Sequence, residues 1–355
     1  MTQLPLDTAA PVRPGEEINL TALNKYLAEA EVPPIVAVQQ FPGGYSNLTY
    51  FLQTQDQRGY VLRRPPFGAE HIRRGHDMGR EYRVLTLLQQ AGYAQVPRPV
   101  LFCDDVHVLG APFYLMERVP GLILRAATAP TLGLSPAQLR GASEALVDNL
   151  VALHSLDLHQ TGLLQLGKPE GYVRRQVEGW YQRYQAAQTD DLPAIERLYQ
   201  WLVKAMPAEN TPTLLHNDYK YDNLVLNPAD LTDLRAVLDW EMCTVGDPLM
   251  DVGTALSYWA EAGDGPFEKS FNLTWLPGNL TRQAFADRYA ERSGRDLSAI
   301  LYYYVFGLFK NSVVMQQIYA RWKKGLTQDK RFAGLLLGIQ SLSSTAERAL
   351  ERGRL

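Results

Sequence analysis

Cysteine is nearly absent: Cys103 and Cys243 are the only two in 355 residues, and they lie far apart in the chain. They match no zinc-ligand or disulfide spacing, so neither a disulfide framework nor a structural zinc site organises this protein, and a reducing compartment is expected. Long apolar runs are missing too. The stretch 301–309 is interrupted by Gly307 and stopped by Lys310, too short to span a bilayer. Residues 1–15 have no positively charged start followed by an apolar core, so neither a signal peptide nor a membrane anchor is expected. A large excess of one charge is lacking as well: 35 basic against 38 acidic residues leaves a net charge of −3, which favours neither a nucleic-acid nor a membrane-surface partner. There is no internal repeat and no low-complexity tract. These absences describe a cytoplasmic chain whose 46% hydrophobic and 21% charged residues suffice for one bilobal unit or two domains.

The elements divide unevenly along the chain. After an amphipathic helix over 20–30, alternating runs at 35–40, 48–54 and 60–64 read as successive strands. A helix is expected over 76–91, then strands at 100–103 and 112–118. Residues 119–134, with Pro, Gly and small side chains, read as a hinge or linker. Beyond them Ser135-Pro136-Ala137-Gln138 combines an N-cap, a first-turn proline and a capping-box Gln, and most of the remaining chain has helical periodicity. The expected fold class is therefore α+β, with a small N-lobe (1–118) of antiparallel sheet plus helix and a larger, mainly helical C-lobe (119–355).

Chemistry concentrates in His216-Asn217-Asp218-Tyr219-Lys220-Tyr221-Asp222-Asn223 and, after a short hydrophobic run, Leu238-Asp239-Trp240-Glu241. The first has the form H-x-D-x-x-x-x-N, in which the Asp accepts a substrate hydroxyl proton and the Asn holds a magnesium ion. A second Asp at the end of the next strand would hold the same metal. Mg2+ wants hard oxygen ligands and keeps several waters, so one amide oxygen, one carboxylate and phosphate oxygens suffice. Asp218 is thus the candidate catalytic residue, Asn223 and Asp239 the candidate metal ligands, and ATP with Mg2+ the expected cofactors. His216 is expected to anchor the loop through its ring, Trp240 to be packed core, and Glu241 to support the metal site from behind.

Upstream, Gly43, Gly44, Ser46 and Asn47 form a turn whose amides can approach phosphates, although G-x-G-x-x-G is incomplete and a Gly-Gly turn alone is a plain hairpin. Arg63, on the third strand, can pair phosphates bidentately. Glu81, early in the next helix, is the natural carboxylate to orient it; taken alone it reads equally as a first-turn acid complementing the helix dipole. Glu117 and Val119 flank the strand end whose backbone would meet adenine.

The chain resembles the aminoglycoside-phosphotransferase-like family, which has a bilobal protein-kinase-like fold. The similarity covers nearly the whole chain and is strongest to the branch found fused to some acyl-CoA dehydrogenases. It rests on the two motifs above, on Tyr60-Val61-Leu62-Arg63-Arg64-Pro65-Pro66, on Gly110-Ala111-Pro112-Phe113-Tyr114-Leu115-Met116-Glu117-Arg118, on Gly171-Tyr172-Val173-Arg174-Arg175, and on Gly246-Asp247-Pro248-Leu249-Met250-Asp251. Lys310 fits that branch as well. The resemblance implies transfer of the ATP γ-phosphoryl group to a small-molecule hydroxyl, and a hydroxyacyl-CoA or hydroxy acid as acceptor. Gly-Asp-Pro opens a helix, so Asp247 reads as its N-cap and Asp251 as a first-turn acid, and the resemblance implies that Asp247 also braces the catalytic loop. Asn217 stands where the family usually has Gly and is expected to bulk up a tight turn without abolishing activity.

The acceptor is less sharply written. Lys310, Arg321, Lys323, Lys324, Lys330 and Arg331 against the single acid Asp329 favour an anionic partner, although such a run also describes a solvated helix face. Glu261, Asp264 and Glu268 make a nearby loop acidic, so an aminoglycoside, choline-like or sugar kinase stays open, as does a non-catalytic nucleotide-binding pseudokinase. Oligomeric state and the choice between ATP and GTP are open at this point.

Overall fold

The computed structural model describes residues 4–42, 47–68, 76–327 and 329–355. Helix α1 (Leu20–Glu29) starts where the Asn19 side chain accepts the Ala22 amide, and buries Leu23 and Leu27. Strands β1 (Ile35–Gln40), β2 (Leu48–Thr54) and β3 (Gly59–Arg64) follow. In β2 every second residue is buried, as a strand with one face on the core requires. Helix α2 (Met78–Gln90) is capped by Asp77, then come β4 (Pro99–Cys103), the short α3 (Val106–Leu109) and β5 (Phe113–Glu117). The strands form one antiparallel sheet in the order β1-β2-β3-β5-β4. Placing β3 in the middle brings Arg63 to the centre of the sheet. Both cysteines are buried and free.

Residues expected to be a linker are instead tied in place. Leu122 exchanges both backbone hydrogen bonds with Leu226 at 2.8 Å, and Leu122, Ile123 and Leu124 are buried. An N-terminal segment also crosses this region: the Asp7 amide donates to the Gly121 carbonyl, Arg118 donates to the Asp7 carbonyl at 2.8 Å, and Arg125 pairs with the Asp7 carboxylate.

The remainder is mainly helical: α4 (Pro136–His154), α5 (Tyr172–Ala187) and α6 (Pro193–Lys204) precede the strands β6 (Thr213–Leu215), β7 (Leu224–Asn227), β8 (Asp230–Val237) and β9 (Thr244–Gly246). Then come α7 (Pro248–Ser257), α8 (Pro266–Phe271), α9 (Arg282–Ser293), α10 (Ile300–Lys323) and α11 (Leu335–Arg352). The Ser135–Gln138 capping box is formed on both sides. Strands β6 and β9 pair, as do β7 and β8, so the catalytic motif is the turn between two small hairpin-like sheets.

Helix α10 runs through the centre of this half, which is why its aromatic run is buried core. It crosses α7 at two glycines. A Cβ at Gly253 would come within 2.2 Å of the Tyr303 carbonyl oxygen, and one at Gly307 within 2.4 Å of the Gly253 carbonyl oxygen, so only glycine permits this approach. No described helix is long and apolar enough to cross a membrane.

Candidate active site

The loop between β6 and β7 is held from both sides. His216 Nε2 lies 2.8 Å from the Leu238 carbonyl, and its Nδ1 accepts the Asp218 amide at 3.2 Å, so the ring shapes the turn and takes no part as a base. Asp251, fully buried on α7, accepts the amides of His216 (2.6 Å) and Asn217 (2.8 Å) and sits 3.2 Å from His154 Nε2. This corrects one expectation: Asp251, which is a first-turn acid of α7 as expected, braces the loop, and Asp247 does not. Asp247 caps α7 through the Leu249 amide and receives Asn210 and Tyr303 instead.

Asn217 adopts the left-handed conformation (φ 65°), which Asn tolerates better than most residues. Its side chain stitches the turn rather than crowding it. Nδ2 donates to the Met242 carbonyl at 3.1 Å, and the Tyr172 hydroxyl donates to Oδ1 at 3.3 Å. Its carbonyl receives Lys310 Nζ at 2.7 Å.

Both carboxylate oxygens of Asp218 are engaged, Oδ1 by Lys220 Nζ at 2.9 Å and Oδ2 by Asn223 Nδ2 at 2.9 Å. Burial pushes this carboxyl up, but Lys220, His216 and Lys310 outweigh it and hold its pKa below the ordinary value, so the group is anionic. Asn223 also donates to the Asp218 carbonyl at 2.8 Å; with its nitrogen committed to the loop, its oxygen is the end left for a ligand.

Across the cleft, Arg63 gathers carboxylates. Its guanidinium lies 3.0 Å from Asp239 Oδ1, 3.5 Å from Glu81 Oε2 and 4.0 Å from Glu241 Oε2. Its Nε is buried without a hydrogen-bond partner, an orphaned donor that a phosphate oxygen would satisfy. Glu81 is buried, not a solvated first-turn acid, and also accepts the Tyr114 hydroxyl at 2.9 Å. Burial pushes its carboxyl up against the pull of Arg63.

Asn47 bridges Glu81 and Glu241 through Nδ2, at 3.1 Å each, and lies 2.8 Å from His76 through Oδ1. Its amide group therefore joins the carboxylate network. Gly43, Gly44 and Ser46 lie outside the described residues.

Asp239 also has a left-handed backbone (φ 66°, ψ 64°), with its side chain about one third exposed. Among the described residues no group of three or more His, Cys, Asp or Glu could hold a metal by itself. The Asn223 amide and Asp239 carboxylate therefore fit a hard cation that takes its remaining oxygens from phosphate and water, the habit of Mg2+.

Glu117 and Val119 line a narrow slot of about 50 Å³ at the end of β5. Its faces are Val61, Ile123, Val225 and Leu238, with Asp7 at its edge. The Glu117 amide is taken by the Arg98 carbonyl at 2.9 Å, and its carboxylate pairs with Arg98 at 3.0 Å. A flat apolar slot beside a strand end suits a planar heterocycle.

Three participants escaped the sequence. Lys220 is two residues from Asp218 and charge-paired with it. Asp251 read as one acid among several in a helix start. Lys310 read as part of a basic run, which the structure breaks up: Lys310 is buried, whereas Lys323 pairs with Asp190 and Arg331 with Asp329 at the surface.

A model of the phosphotransferase enzyme family matches residues 37–292, most of the chain, including Arg63, Glu81, Asp218, Asn223, Asp239 and Asp251 but not Lys310. The chain belongs to that family. Among proteins similar to this phosphotransferase-family chain is acyl-CoA dehydrogenase family member 11 of Rattus norvegicus, 32% identical over 97% of the chain but only 46% of that protein. The chain thus spans under half the length of this relative.

A crystal structure from Ralstonia eutropha, provisionally named an aminoglycoside phosphotransferase, superposes with a TM-score of 0.80 at 28% identity, covering 95% of this chain and 99% of that one. The GDP and kanamycin complex of APH(2″)-IIIa superposes at 0.63 with 17% identity, covering 92% and 99%, a likeness of fold. The architecture is accordingly the kinase-like fold of phosphotransferases, with an antiparallel N-lobe sheet and a mainly helical C-terminal part.

Proposed function

We propose that this chain transfers the γ-phosphoryl group of ATP to a hydroxyl of a small hydroxy acid or hydroxyacyl-CoA. The carrying observation is a pair of polar clusters built on the two motifs: Lys220 and Asn223 on Asp218 in one, and Arg63 on Asp239, Glu81 and Glu241 in the other. The slot at Glu117 and Val119 would take the base; a protein of similar fold binds GDP. Arg63, with its orphaned Nε, would hold inner phosphate oxygens, and Asn47 would keep Glu81 and Glu241 in register behind it.

Asn223 Oδ1 and Asp239 would hold Mg2+, which supplies neutralisation of the charge on the phosphates. Asp218, anionic in its setting, aligns the acceptor hydroxyl and takes its proton. The new bond joins the acceptor oxygen to Pγ, the bond from Pγ to the bridging oxygen breaks, and ADP leaves with that electron pair. Lys220, paired to Asp218, would offset charge on the transferring group. Most of the acceleration then comes from positioning and charge complementarity.

The test is mass-resolved transfer from MgATP to hydroxy acids, hydroxyacyl-CoAs and aminoglycosides. Loss of product by roughly 10²–10⁴-fold in Asp218→Asn is expected, with nucleotide affinity retained. Turnover surviving in that variant refutes the assignment of Asp218. Labelling of an aminoglycoside instead identifies a drug kinase, and nucleotide binding without any product identifies a pseudokinase.

A further inference from the structure

A second cavity, of about 350 Å³, opens between α2, α5 and α10, and Asn217, the residue before Asp218, is part of its wall. Its acids are committed. Asp77 caps α2 through the Arg80 amide, while Glu81 and Glu241 accept from Asn47 and face Arg63. Its cations are differently placed. Arg80 donates to the carbonyls of Leu166 (3.0 Å) and Cys243 (2.6 Å), and the Arg183 guanidinium lies 4.3 Å over the Trp180 ring.

Lys310 is 4% exposed, and its ammonium group has the Asn217 carbonyl as its hydrogen-bond acceptor, with the Trp180 ring 5.8 Å away. An ammonium carries three donors, and Lys310 lines the cavity with one of them given to the Asn217 carbonyl, so further capacity remains for a ligand there. Burial of an ammonium against a neutral carbonyl is costly without a counter-charge. Burial pushes the Lys310 pKa down to about 8 despite Asp218 and Asp251. Trp180, Tyr172 and Phe306 give the same cavity an apolar wall.

We propose that this cavity is the acceptor subsite and that Lys310, flanked by Arg183, is its specificity-determining cation: it binds an acyl oxygen of the acceptor, a carboxylate or a thioester carbonyl. The hydrocarbon of the acceptor packs on Trp180 and Phe306. Its hydroxyl reaches Asp218, one residue beyond the carbonyl that Lys310 already holds. A polycation is rejected, because its ammonium groups would meet Lys310 and Arg183 where the described carboxylates of the cavity are already committed. The inference rests on the phosphotransferase reading above, and its test separates the two.

Wild type, Lys310→Met and Arg183→Gln are compared on a hydroxy acid, its CoA thioester and the chain-matched alcohol lacking any acyl oxygen. Transfer is measured from MgATP and binding by calorimetry. The acid and thioester arms distinguish carboxylate from thioester carbonyl. In wild type an acyl acceptor should be preferred over the plain alcohol by ~10–100-fold, the worth of a charge-assisted hydrogen bond, and Lys310→Met should flatten that ratio towards one at unchanged nucleotide affinity.

General damage to the loop would lower both acceptors alike, so the ratio isolates recognition. Arg183→Gln should reduce it a few-fold and serves if Lys310→Met does not fold. A preference that survives both variants overturns the proposal, as does better phosphorylation of an aminoglycoside than of any acyl acceptor. If wild type binds MgATP but phosphorylates nothing, the phosphotransferase reading fails by itself. Calorimetry then decides the subsite: acyl ligand binding that Lys310→Met weakens ~10-fold supports it, and no such binding refutes it.

Discussion

Arg63 and Lys310 are both buried cations beside the catalytic loop, yet their surroundings are opposite. Arg63 stands among Glu81, Asp239 and Glu241, whereas Lys310 has a backbone carbonyl and an aromatic ring. The N-lobe side of the cleft is thus charge-balanced by the protein and tuned by whatever competes for its carboxylates, as a metal-bound nucleotide would. The α10 side offers Lys310 no hydrogen-bonded carboxylate, and Asp218 and Asp251 act on it only at longer range. Two cations of equal formal charge are thus held in different ways, one among carboxylates and the other on a backbone carbonyl and a ring.

Stability should separate the two cations most strongly. Arg63→Met strands Glu81 as a buried, unpaired acid and should cost about 3–5 kcal/mol in denaturant unfolding, the usual result of removing one partner of a buried pair. Lys310→Met loses one hydrogen bond but also removes a desolvated charge, so its cost should stay within about 1 kcal/mol. Equal costs would mean that Lys310 is as internally satisfied as Arg63.

A smaller effect is carried by pH. The Lys310 pKa falls from an ordinary 10.5 to about 8 in the folded protein, so between these values the unfolded chain binds the extra proton. Stability contributed by this site therefore rises as pH increases from about 8 towards 10.5, and is penalised below about 8. The difference in unfolding free energy between wild type and Lys310→Met should grow in favour of wild type over that window, and KM for an anionic acceptor should rise as Lys310 loses its proton. A flat difference would show that the lysine is not desolvated as described.

The smallest expected change is Asn217→Gly, which keeps the left-handed turn but removes the Tyr172 and Met242 contacts. It should cost about 1 kcal/mol and lower kcat by a few-fold through a looser loop. An unaltered melting temperature and kcat would show that those contacts hold nothing.

Much of the fold was legible because its signals are local. The strands at 35–40 and 48–54 and the Ser135 capping box arise from alternation and cap chemistry, and all three are present in the structure. The motifs around Asp218 and Asp239 were legible because phosphoryl transfer constrains residue type and spacing together. The hidden features depend on long-range packing. Strands β6 and β9 are three-residue pieces with no periodicity of their own. Asp251 and Asp247 are both acids at one helix start, and only the approach of α7 to the loop decides which one meets backbone amides. Lys310 looked like its basic neighbours because burial has no signature in a single residue. The expected linker contained Leu122, whose pairing with Leu226 no local pattern announces.

The crossing of α7 and α10 at Gly253 and Gly307 acts as a gauge. Asp251, two positions before Gly253, grips the amide edge of Asn217, and Lys310, three positions after Gly307, grips its carbonyl edge. The separation of the two helices therefore sets the width of a vice around one residue, Asn217, through the peptide units on either side of it. Adding a single methyl group at either glycine would force the helices apart and open that vice, shifting the Asp251 carboxylate and the Lys310 ammonium from Asn217 in the same stroke. The placements of Asp218 and Lys310 are thus coupled through the thickness of one helix crossing.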